Sequence, residues 1–207
     1  MISFNQRIVR SFAPAWNLTV LIVLVMASTA NARAHEVLYF PKGAEHWYPK
    51  YLEVMREPSL FQQPTNNSVE QYRFLWLRTF HRPIAVRIWK DGSEAELRVV
   101  RLSGAGGYDP GHIERDDSFS ITDKQWSHFL GLLNESSFWN FQSAESYLGG
   151  FDGSQWILEG RAADKYHVVD RWAPLSNGKE RHLEKFVACC RYLLKLSKEK
   201  IPRKDDY

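Results

Sequence analysis

The sequence predicts an α+β fold: an antiparallel β-sheet of two hairpins plus an extra strand, with two main helices packed on one face. Three observations predict it. Asp91-Gly92 joins IAVRIW to EAELRVVRL, two runs in which apolar and polar residues alternate, and an Asp-Gly pair so flanked is a two-residue hairpin signal. SQWILEG and YHVVDRW, separated by RAAD, repeat the pattern downstream. A segment with apolar residues at helical spacing follows each hairpin. Parallel pairing needs a crossover of a dozen or more residues between successive strands, so the close-set strands favour an antiparallel sheet with its helices segregated to one side.

Composition fits one globular domain: 207 residues, 44% hydrophobic and 25% charged. Residues 1–34 stand apart. Arg7 and Arg10 precede the apolar run LTVLIVLVMA, and the small residues of ASTANARA follow, the layout of a secretory signal peptide. Cleavage is expected after Ala34, with Ala32 as the other A-x-A site. A membrane span needs about 20 predominantly apolar residues, roughly twice this run, so an uncleaved anchor is the alternative. The expectation is therefore export, to the periplasm or outside, with membrane contact only if residues 1–34 are retained. The formal charge of +3 falls to zero once Arg7, Arg10 and Arg33 leave with that segment. Nucleic acid, which requires a concentrated basic surface, is not an expected partner.

Residues 35–71 form an expected extended arm, rich in aromatics and punctuated by Pro41, Pro49, Pro58 and Pro64, with one short helix over Lys50 to Arg56. The single α+β domain spans 72–198. Its first strand, Tyr72 to Phe80, reaches the hairpin through the corner His81-Arg82-Pro83. A type I′ turn at Asp91-Gly92 sets Lys90 opposite Ser93, so that Ile88 faces Ala95, Val86 faces Leu97 and Ile84 faces Val99 on one apolar side. Leu75 and Leu77 are expected to join that side. Phe74, Trp76 and Arg78 would then join Arg87, Trp89 and Arg98 on the other.

Thr122 and Gln125 form a capping box that opens a helix bearing Trp126, Phe129, Leu130 and Leu133. In the second hairpin a loop of three to five residues would place Trp156 and Leu158 with Tyr166 and Val168. The last helix, about His182 to Lys198, carries Leu183, Phe186, Val187, Cys190, Leu193 and Leu194 at helical spacing. Residues 199–207 read as a charged, solvated tail. Cys189 and Cys190 are adjacent, with α-carbons about 3.8 Å apart against the 4.4 to 6.8 Å of an ordinary disulfide, and read as packing residues.

The glycine-rich RLSGAGGYDPGH, Arg101 to His112, is the closest approach to a catalytic motif. It lacks the lysine and following helix of a phosphate loop and the spaced glycines of a dinucleotide site. It reads as a flexible connection. Tyr108, Asp109 and His112 are loop candidates, and His112 with Asp109 and Glu114 has no second histidine at ligand spacing. No metal and no cofactor are expected. Glu159 and His167 are weak catalytic candidates, a carboxylate and imidazole for acid–base work if the strands bring them together. No serine elbow or activated thiol accompanies them. The aromatic and guanidinium strip of Phe74, Trp76, Arg78, Arg87, Trp89 and Arg98 has the composition of an interaction hot spot, unless the arm covers it.

YRFLWLRTFHRPIAVRIW, RLSGAGGYDPG, DGSQWILEG and YHVVDRWAP together resemble an uncharacterised family of exported bacterial proteins, over about Tyr51 to Leu196. The resemblance implies bacterial origin and export and carries no catalytic residues. The functional expectation is a non-catalytic binding or interaction domain of the bacterial envelope, with a protein or saccharide partner. A hydrolase-like enzyme using Glu159 and His167 is the alternative.

Overall fold

The computed structural model describes residues 38–41, 47–63, 66–145, 152–202 and 207. The expected signal peptide lies outside the described residues. Among those described, no helix is long and apolar enough to cross a membrane.

The elements run α1 (Pro49–Val54), β1 (Asn66–Arg78), β2 (Ile84–Asp91), β3 (Glu94–Leu102), β4 (Ile113–Ser120), α2 (Asp123–Glu135), a 3₁₀ turn (Phe138–Asn140), β5 (Ser154–Ala163), β6 (Lys165–Trp172) and α3 (Glu184–Leu196). One six-stranded sheet has the order β4-β3-β2-β1-β5-β6, and every neighbouring pair is antiparallel. The fold is α+β.

The β2–β3 hairpin turns at Gly92-Ser93 rather than Asp91-Gly92, because Asp91 pairs with Glu94. Only Gly92 takes a positive φ, +56°, the pattern of a type II′ turn with glycine first. The pairing is displaced by two positions, so Ile88 faces Leu97 and Val86 faces Val99. A two-residue displacement keeps every side chain on its face. The apolar side is therefore the expected one.

The flanking strands do not follow expectation. Phe74 pairs with Val86 and Trp76 with Ile84, so Tyr72, Phe74, Trp76 and Arg78 lie on the apolar side of the hairpin, and Leu75 and Leu77 on the other. At the second hairpin Ala162 pairs with Lys165 across a two-residue turn, and Leu158 with Val169. Trp156 and Leu158 thus share a face with His167 and Val169, not with Tyr166 and Val168. The physical reason is common to both. β1 and β5 are interior strands, both their faces are buried, and apolar residues on both faces leave alternation unable to choose between them.

Helices α2 and α3 cover one face, where Tyr72, Phe74, Trp76, Trp156 and Leu158 pack with Trp126, Phe129, Phe186, Cys190 and Leu193. Thr122 caps α2: its side chain accepts from the Gln125 amide while the Gln125 side chain accepts from the Thr122 amide. The arm covers the other face, with Tyr48, Tyr51, Leu52 and Met55 over Leu75, Leu77, Val100 and Ile157. β4, missed in the sequence, is an exposed edge strand whose charges, IERDDSFS, replace an apolar stripe and discourage pairing with another chain.

The tail is anchored at its described positions. Glu199 pairs with Arg101 and Arg115, and the backbone oxygen of Tyr207 accepts from the indole of Trp76 at 3.2 Å and from the Ser154 hydroxyl.

Candidate functional site

The register dismantles two of the expected sites. Phe74, Trp76 and Arg78 lie under the helices while Arg87, Trp89 and Arg98 lie under the arm, so the six residues do not form one face. Phe74 and Trp76 are fully buried. Glu159 pairs with Val168 and His167 with Gly160, which puts the carboxylate and the imidazole on opposite sides of the sheet. His167 Nε2 donates to the Phe141 carbonyl at 2.8 Å, and its ring packs against Phe138.

Glu159 instead joins an ionic network beneath the arm. Arg73 donates to one of its oxygens through Nε at 2.9 Å and Nη2 at 2.5 Å, and the Tyr166 hydroxyl donates to the other at 2.9 Å. Burial raises the Glu159 carboxyl, against the pull of Arg73 and Tyr166. Burial also opposes the charge on Arg73, but Glu159 and Glu57 outweigh it and hold the guanidinium above its ordinary value. Glu57, from the arm, accepts from Arg87 at 2.9 Å and Arg98 at 2.5 Å and lies 3.5 Å from Arg73. A sealed carboxylate held this way locks the arm to the sheet. Glu159 itself is fully buried.

Cys189 and Cys190 are buried and free. Burial pushes the Cys189 thiol up to about 12 and raises the Cys190 thiol well above its usual value, which removes the thiolate that nucleophilic chemistry requires. Among the described residues no three His, Cys, Asp or Glu side chains are placed to hold a metal. Asp109 accepts from the Gly111 amide, His112 bonds to the Ser103 hydroxyl, and Glu114 faces Arg82 and Arg101. They serve separate partners.

The glycine-rich loop is built, not slack. Its amides from Ser103 to Tyr108 donate to the carbonyls of His112, Pro110, Asp109, Arg78, Thr79 and Ala105 in turn. A phosphate cradle needs free amides aimed at one point, and here each is consumed within the chain. The glycines permit close approach: a Cβ on Gly104 would sit 2.0 Å from the Asp109 oxygen, and one on Gly106 2.6 Å from the Arg78 backbone. From the arm, the Tyr51 hydroxyl lies within 3.0 to 3.2 Å of the carbonyls of Ala105, Gly106 and Tyr108, and Lys50 Nζ donates to that of Tyr108 at 2.6 Å. Burial first, then the Asp109 charge, pushes the Tyr51 phenol up to about 12. It acts as a donor clamp.

This clamp fixes the segment that carries Tyr108. Trp47, Phe80 and Tyr108 are the exposed large hydrophobic residues among those described, at 42%, 56% and 60%. Phe80 and Tyr108 have ring centroids 6.1 Å apart. Trp47 packs edgewise on Tyr51, with Lys50 over both rings. The three therefore gather at the glycine-loop end of the sheet. Beside them opens a pocket of about 430 Å³ lined by Phe80, His81, Arg78, Arg82, Arg101 and Lys200, with Glu199 as its carboxylate. His81 Nδ1 bonds to the Tyr207 hydroxyl at 2.7 Å.

Of the sequence candidates, Tyr108 and Arg78 belong to this end. Trp47, Phe80 and Tyr51 were missed. Phe80 lies just past the last residue of β1, where alternation stops informing, and Trp47 lies in a proline-punctuated arm without periodicity. An exposed aromatic beside a turn was the available signal. Compared with protein-family models and with curated proteins, the chain matches none.

Proposed function

We propose that this is a non-catalytic recognition protein, exported by a bacterium, that holds a saccharide at the glycine-loop end of the sheet. The observation that carries the reading is the exposure of Trp47, Phe80 and Tyr108, from the arm, the β1–β2 corner and the hydrogen-bonded glycine loop respectively. Soluble proteins expose scattered apolar side chains singly. Three large rings gathered at one end, beside a polar pocket, match a ligand with apolar ring faces and a polar rim. An ordinary protein partner would cover roughly 800 Å² of each surface, more than this small cluster provides. Export is supported by the layout of residues 1–34.

The test is affinity electrophoresis in native gels containing alginate, pectin, dextran or solubilised peptidoglycan. At least one should retard the protein, and the Phe80→Ala, Tyr108→Ala double variant should run unretarded with an unchanged melting temperature. Free migration in all four, or equal retardation of the double variant, would contradict the reading.

A further inference from the structure

We infer that Tyr207 is a positioning residue for saccharide recognition: docked on Trp76, Ser154 and His81, it latches the tail against the corner that carries Phe80. The inference rests on the recognition reading above and adds the element that holds one of its rings in place.

The slot that receives Tyr207 is built into the core. Trp76 on β1 and Ser154 on β5 are fully buried. The indole of Trp156 donates to the Ser154 hydroxyl at 2.9 Å. That hydroxyl donates in turn to the main-chain oxygen of Tyr207, which also accepts from the Trp76 indole at 3.2 Å. Three core side chains thus end on one oxygen of the tail. A buried donor left without an acceptor keeps its desolvation cost, so these groups hold the tail where it lies.

The phenol carries the contact outward. Its hydroxyl bonds to His81 Nδ1 at 2.7 Å, and the two rings meet edge to face with centroids 5.4 Å apart. His81 belongs to the corner between β1 and β2, whose backbone the glycine loop pins: the Gly106 amide donates to the carbonyls of Arg78 and His81, and the Gly107 amide to that of Thr79. Phe80 stands between these pinned residues with more than half of its surface in solvent. The loop therefore fixes the corner's backbone, while Tyr207 fixes the His81 side chain and brings the tail with it. Ile201 and Pro202 of that tail line the same pocket as Phe80 and His81. A site ordered before its ligand arrives loses less freedom on binding.

The experiment compares the unmodified chain with Tyr207→Ala and Tyr207→Phe. One readout is exchange of the Trp76 indole N–H, followed by NMR in isotope-labelled protein, and it needs no saccharide. The other is retardation in native gels containing alginate, pectin, dextran or solubilised peptidoglycan. Tyr207→Ala should raise the indole exchange and lower the affinity for the retarding polysaccharide, each about tenfold, the scale of one or two lost hydrogen bonds, while circular dichroism is unchanged. Tyr207→Phe keeps the ring against His81 and should lose only about threefold in affinity.

Unchanged indole exchange in Tyr207→Ala overturns the docking. Faster exchange with undiminished retardation overturns the positioning role and leaves recognition standing. Stronger retardation overturns it as well, by making the tail a cover over the site. If none of the four polysaccharides retards the unmodified chain, recognition and positioning fall together.

Discussion

The two faces of the sheet are buried by different means. Under α2 and α3 the contacts are apolar and aromatic, with Phe74, Trp76 and Trp156 packed ring against ring. Under the arm, Leu75, Leu77 and Ile157 share the surface with Arg73, Arg87, Arg98 and Glu159, and the arm brings Glu57 to meet them. Apolar packing tolerates many arrangements of similar volume. A buried guanidinium does not, because each unpaired donor retains its desolvation cost. The helix face supplies stability in bulk, and the arm face sets where one particular segment must lie. That placement matters for recognition, because the same arm carries Tyr51 and Lys50 to the loop beneath Tyr108.

The largest expected effect breaks the ionic face. Glu159→Ala removes the carboxylate oxygen that takes two Arg73 N–H groups, leaving Arg73 only Glu57 and the Pro58 carbonyl, and should cost about 3 kcal/mol in urea unfolding. Replacing the pair together, Arg73→Met with Glu159→Leu, should recover most of that loss. On the helix face, Leu158→Ala should cost about 2–5 kcal/mol through transfer and cavity terms, with no second substitution of this kind to restore it. Recovery by the double change separates the two faces. A double variant as unstable as Glu159→Ala would make the arm face another apolar core.

Tyr51→Phe sharpens the comparison at smaller scale. It removes the hydroxyl shared among three loop carbonyls and should cost about 1–2 kcal/mol, while raising amide exchange between Ala105 and Tyr108. Unchanged exchange there would remove the clamp. The smallest effect is chemical. Burial pushes the Cys189 thiol up to about 12, so almost no thiolate exists near neutral pH. Neither cysteine should react with a disulfide reagent at pH 8 in the folded protein, and both should react in denaturant.

The helix face was largely legible in the sequence. The alternation of β2 and β3 survives a two-position error in the turn, because parity alone assigns a face. The capping box at Thr122 announced α2, and helical spacing announced α3. What defeated sequence reasoning was the middle of the sheet, where β1 and β5 are buried on both sides and the aromatic strip splits between them. Glu57 carries no local signal at all. Its importance comes from three arginines brought to it from strands up to 41 positions away in sequence. The glycine loop was recognised as a non-phosphate segment for sound reasons of spacing, but its rigidity depends on carbonyls of β1 and hydroxyls of the arm that only the fold brings near.

The most direct measurement is mapping of chemical-shift changes as fragments of the polysaccharide that retards the protein in native gels are titrated into isotope-labelled protein. Recognition at the glycine-loop end predicts changes concentrated at Trp47, Phe80, His81 and Tyr108. No change at those positions, or changes confined to the β5–β6 turn and the exposed side of α2, would contradict it.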